Sequence, residues 1–71
     1  MTNKQKEIIW NLIERYDRVN VEFADALSRI LRGIETSKDL GIIFSNYRKI
    51  DKTDEMTVDS VLGEKIMFGI L

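Results

Sequence analysis

One apolar stripe constrains this chain more than any other feature. Ile9, Tyr16, Phe23 and Ile30 recur every seven residues, and Leu12, Val19 and Ala26 follow the first three of them by three positions. Ile13, Leu27 and Ile34 widen the same face. Apolar side chains at both inner heptad positions, held for about three and a half repeats, mark a helix that packs along its whole length. No proline or glycine interrupts the stretch before Gly33. The stripe predicts one long amphipathic helix, starting at a Thr2–Gln5 capping pair and stopping at Gly33.

Such a helix is too long for a small monomer. Some 31 residues at 1.5 Å each reach about 46 Å. A compact domain of 71 residues has a radius of gyration near 11 Å, about a quarter of that length. Short chains bury only about 60% of their unfolded surface, and those lacking staples usually oligomerise. With no cysteine or histidine, neither disulfides nor thiolate and imidazole metal sites can serve here. The expectation is therefore a homodimer with Ile9, Leu12, Tyr16, Val19, Phe23 and Ile30 on its interface. The competitor is a helical hairpin that turns at Asn20, where two β-branched valines flank an asparagine able to cap a helix.

Two shorter helices complete the predicted all-α fold, a single domain over residues 1–71. Thr36 or Ser37 can cap the second, with Asp39 in its first turn and Leu40, Ile43, Phe44 and Tyr47 on one face. The polar stretch 51–57 reads as a connection. Thr57 then caps a third helix that turns Val58, Val61, Leu62 and Ile66 inward. A short strand at 41–47 or 64–71 is the alternative, because both segments contain apolar runs that strands also use.

Composition excludes more functions than it suggests. At 44% apolar and 32% charged residues the chain is foldable, and no apolar run approaches membrane-spanning length. Nothing at the start reads as a signal peptide. Beginning at Met1, the chain is expected to be a complete small cytoplasmic protein. Its net charge of −1 argues against unspecific binding to a polyanion. Residues 29–49 carry +3 and residues 50–71 carry −3, giving a basic middle and an acidic end.

Four carboxylates, Asp51, Asp54, Glu55 and Asp59, crowd into that acidic end. A calcium loop begun at Asp51 would need glycine at its sixth position and glutamate at its twelfth. Met56 and Leu62 stand there instead. With no histidine or nucleophile elbow beside them, the acids make no catalytic set. No enzyme activity, cofactor or metal is expected. The acids suit a partner with a basic surface, such as a nucleic-acid-binding protein. Trp10 lies outside the stripe and is a second candidate anchor for a partner.

Arg29, Arg32, Lys38, Arg48 and Lys49 supply the opposite patch. The segment 36–47 has the look of the first helix of a helix-turn-helix, yet the acidic stretch stands where a recognition helix should follow. The reading is a small protein-binding adaptor, modulator or inhibitor, with a small DNA-binding transcriptional regulator as the alternative.

Overall fold

The computed structural model describes the backbone of residues 1–69 and the side chains of residues 1–65. It is all-helical over that span. Helix α1 covers Asn3–Tyr16, α2 Val21–Arg32, α3 Ser37–Asn46 and α4 Lys52–Gly69, with a 3-10 turn at Tyr47–Lys49 between α3 and α4.

The continuous helix expected over 3–33 is corrected to two. Tyr16 ends α1, and its carbonyl accepts from the backbone N–H groups of Val19 (3.1 Å) and Asn20 (2.9 Å). Asn20 then leaves helical geometry at φ −144°, ψ 87°, and its Oδ1 accepts from the Phe23 N–H at 3.2 Å. That is an N-cap, and it satisfies one of the donors a new helix leaves unpaired. The Asn20 Nδ2 donates to Asn46 Oδ1 at 3.1 Å, and Asn46 Nδ2 donates to the Ile42 carbonyl at 2.7 Å. Two side-chain amides thus clip the first turn to the end of α3. The hairpin alternative is the observed one.

Tyr16 and Phe23 show what the heptad spacing means in this fold. Seven residues along one helix lie about 10.5 Å apart. Their ring centroids are 5.5 Å apart, edge to face at 77°. They meet across the turn, one from each arm. Both arms direct the stripe inward, so each needs only its own helical phase. The register that runs through 17–20 is permitted by the turn and does not require a helix there. Val19 and Ile34, stripe members that fall in turns, are exposed.

The other two turns follow their local signals. Gly33 closes α2 in the left-handed region at φ 74°, with its N–H and that of Ile34 returned to the last turn. Thr36 caps α3 through a reciprocal box with Asp39. The strand considered at 41–47 is helix through Asn46. Of the strand considered at 64–71, residues 64–69 are helical, while Ile70 and Leu71 lie outside the described residues. The expected connection at 51–57 is also corrected: α4 begins at Lys52, nearly two turns before the start that a Thr57 cap suggested.

A single core joins the elements. Ile9 and Leu12 from α1, Phe23, Ala26, Leu27 and Ile30 from α2, Ile43 from α3, and Val58, Val61 and Leu62 from α4 are all nearly inaccessible. Tyr47 and Ile50 close it beside the 3-10 turn. Burying one such side chain contributes about 1.5–3 kcal/mol, which is why the stripe dominates the fold. Ile66, assigned inward from its spacing, lies outside the described side chains. The longest dimension is 34 Å and the radius of gyration 10.9 Å. Splitting the stripe into two arms is what lets a chain of this length enclose it. None of the helices described is long and apolar enough to cross a membrane.

Candidate functional site

The expected dimer residues are spent on the chain's own core. Ile9, Leu12, Phe23 and Ile30 are 2% exposed or less within one chain, which leaves them no surface for a second. Tyr16 is half-buried against Phe23. Val19 alone is open, at 77%, and it sits in the turn. That set does not form a seam on the folded surface.

The four acids gather around the start of α4. Asp51 immediately precedes the helix, and its carbonyl accepts from the Glu55 N–H at 2.8 Å. Asp54 and Glu55 lie in the first turn, where the helix dipole favours negative charge. Part of this acidity is already engaged. Asp54 Oδ2 pairs with Arg15 Nη1 at 3.4 Å, and Asp59 Oδ1 accepts from the Tyr47 hydroxyl at 3.3 Å. Partly exposed pairs of this kind are worth about 0–1 kcal/mol. They attach α4 to α1 and to the 3-10 turn more than they neutralise the patch. Trp10 is 51% exposed but belongs to another face. It is five residues from Arg15, about 140° around α1 at 100° per residue, so the acids and the tryptophan form no common site.

What α4 does assemble is a face of mixed character. Tyr47, Arg48, Lys52, Glu55, Met56 and Asp59 line a shallow recess of about 370 Å³. Lys52, Glu55, Met56 and Asp59 are spaced by three, one and three residues, one stripe of a helix. Met56 is 69% exposed. Phe44, 55% exposed, stacks at 5.9 Å and 43° on the Tyr47 ring, extending the apolar centre onto α3. The Arg48 guanidinium carbon lies 6.0 Å from that ring, within cation–π range. Neither Lys52 nor Glu55 enters any ion pair among the described residues. Lys52 and Met56 were not legible from spacing, because 51–57 reads as a loop. Phe44 shares a period with Leu40, Ile43 and Tyr47 and was expected inward, whereas Ile42 takes the half-buried place against the core.

A second cluster lies between α2 and α3. Arg29 Nη1 donates to Asp39 Oδ1 at 2.8 Å, while Asp39 Oδ2 accepts from the Thr36 N–H (2.9 Å) and hydroxyl (3.1 Å). The Thr36 backbone N–H is the largest influence holding the Asp39 carboxyl below its ordinary range. Burial pulls the other way, but that N–H together with the Thr36 hydroxyl and the Arg29 guanidinium outweighs it. Glu22, Asp25, Lys38 and Ile42 border the same recess of about 290 Å³. Both carboxylate oxygens of Asp39 are engaged, one by Arg29 of α2 and the other by the Thr36 cap of its own helix. Among the described residues no three carboxylates converge where a cation could sit.

The order of elements also changes the reading of the basic patch. α3 is the second helix of a pair, joined to α2 by a four-residue turn, 33–36, that contains a glycine. Its outer face shows Ser37, Lys38, Gly41, Phe44 and Ser45, and carries no acid, since Asp39 is turned inward. Comparison of the chain with protein-family models, with curated proteins and with solved structures finds no match.

Proposed function

We propose that this is a non-catalytic protein-binding module that contacts its partner through the face formed by the end of α3 and the start of α4. The observation that carries the reading is the pair Phe44 and Met56, two large apolar side chains left open around the Tyr47 edge and framed by charges of both signs. An apolar centre with a polar rim is how interfaces are built, and aromatic, methionine and arginine side chains are enriched in them. Of the four acids, Glu55 and Asp59 lie on this face. A small adaptor or inhibitor needs no more than such a face. The test is retention of proteins from lysate by the immobilised chain and by a Phe44→Ala/Met56→Ala double variant. Both side chains are exposed, so the variant should fold normally by circular dichroism and lose the specific partner. Equal retention by both would overturn the reading.

The α2–turn–α3 order and the acid-free outer face of α3 favour a second reading, a helix-turn-helix on duplex DNA. It predicts a shifted duplex at low salt that Arg48→Ala/Lys49→Ala abolishes. The carboxylates of Glu55 and Asp59 beside Arg48 weigh against it, because they repel phosphates.

A further inference from the structure

We infer that the turn at 17–20 is a hinge, and that the chain exchanges α1 with a second copy of itself to form a swapped dimer. In the opened chain α1, the turn and α2 run on as one helix, and each α1 lies on the other copy's α2 and α4. The buried stripe leaves no surface for an added chain, so the exchange replaces its cover. Every contact that α1 makes within one chain is available from another, the Arg15–Asp54 pair included. The α3–α4 face takes no part.

The turn departs little from a helix. Asp17 has helical angles, φ −51° and ψ −33°. The Tyr16 carbonyl accepts from the Asn20 N–H, and the Asn20 carbonyl from the Ala24 N–H at 3.0 Å, each spanning four residues as in an α-helix. Among the described residues only Gly33 has positive φ, so no left-handed residue bars a helix through 17–20. Asn20, at φ −144° and ψ 87°, is the clear break. Bringing it to helical angles lets the carbonyls of Asp17, Arg18 and Val19 accept from Val21, Glu22 and Phe23. The turn at 33–36 is a poor hinge by comparison, because Gly33 sits at φ 74° and a reciprocal box fixes the start of α3.

The stripe keeps its phase through the hinge, which a turn does not require and a continuous helix does. Two such helices, antiparallel and keeping Tyr16 opposite Phe23, have their two-fold axis midway between, at Val19 and Asn20. The same register sets Ile9 opposite Ile30 and Leu12 opposite Leu27, apolar against apolar at each level. Val19, 77% exposed in the turn, lies beside the axis and is covered by its counterpart. Asp17 and Arg18 follow Tyr16 by one and two steps of about 100°, so neither charge faces the axis.

Refolding the full chain from urea at micromolar and at millimolar concentration tests this. The dilute sample should be monomeric. The concentrated one should contain a species of twice the 8.3 kDa chain mass. That species should persist on dilution, because return to the monomer requires α1 to leave a core. In a dimer refolded from equal parts of isotope-labelled and unlabelled chain, isotope-filtered NOEs should join Tyr16 of one copy to Phe23 of the other. Val21→Pro should weaken dimerisation at least about hundredfold, since proline breaks a continuous helix at that point yet suits the first position of α2. It also holds Asn20 in extended geometry, as in the closed turn. A chain monomeric at every concentration overturns the inference. So does a dimer in which Tyr16 and Phe23 meet only within one copy, or one that Val21→Pro leaves intact.

Discussion

The turn at 17–20 and the turn at 33–36 do the same job by opposite means. Both reverse the chain after a helix of similar length, and both start the next helix with a side-chain cap. At 33–36 the instructions are local: a glycine that can take φ 74°, then a threonine and an aspartate three residues apart that cap each other. At 17–20 there is no glycine, and the residues Asp17, Arg18 and Val19 are all tolerable in a helix. One asparagine caps α2, and its other side-chain group is held by Asn46, 26 residues away. The second turn would form from its own neighbours. The first forms because the fold around it closes. Local capping is worth about 1 kcal/mol, too little to outweigh a continuous helix by itself, whereas folding back buries an entire apolar stripe.

The largest effect should come from removing what closes the first turn. Phe23 is 1% exposed and touches Tyr16 across the turn. Phe23→Ala should cost about 3–5 kcal/mol in urea unfolding. A cost below 1 kcal/mol (roughly the value of a cap alone) would show that the turn is specified locally after all.

Next is the charge that secures the second turn. Asp39→Ala removes the box and the Arg29 contact together and should destabilise by about 2–3 kcal/mol. The same carboxylate sets a pH dependence. Its pKa in the fold lies below its ordinary value of 3.8. Its stabilisation is therefore complete above that value and is lost as pH falls through the lower, folded-state one. The unfolding free energy should drop on the acid side of pH 4 (about the unfolded carboxylate range), and Asp39→Asn should flatten that limb. An acid limb identical in Asp39→Asn would assign the pH dependence to other carboxylates.

Gly33→Ala comes third. A Cβ there meets nothing within 4 Å, so any cost is conformational alone, from holding φ 74°. It should be about 1 kcal/mol. A neutral result would mean that α2 can end without the left-handed residue, and that this turn too is imposed by packing.

The smallest effect separates the hairpin from a continuous helix most cleanly. Val21 is the first residue of α2 and is 56% exposed. Proline is tolerated at that position, since the missing N–H has no helical partner there anyway. Val21→Pro should change stability by less than about 1 kcal/mol, against about 3 or more inside an unbroken helix. Asn20 is a poorer place for proline: its N–H donates to Tyr16 and its φ is −144°. A Val21→Pro variant that unfolds would restore the long helix.

The amino-acid sequence by itself determined the helical class and the identity of nearly the whole core. It also marked helix-capping features at Thr2 and Gly33 and narrowed a third to Thr36 or Ser37, of which the structure uses Thr36. Each of these rests on periodicity or on groups within a few residues of each other, and such signals are legible without coordinates. The site was legible only in pieces. Glu55 and Asp59 were singled out for their charge, but Met56 and Lys52 became a face only once 51–57 proved helical. Phe44 shared the inward period, and which member of a wide apolar stripe is left outside is settled by the neighbours that arrive. Tertiary structure alone decided that the heptad bends back at Asn20. A repeat of seven specifies which side of a helix is apolar; whether that side is covered by a second chain or by the chain's own return depends on contacts distant in sequence. Here the two arms cover each other, with α3, the 3-10 turn and α4 closing the rest, and burying the stripe this way outweighs the few helical hydrogen bonds given up at the turn.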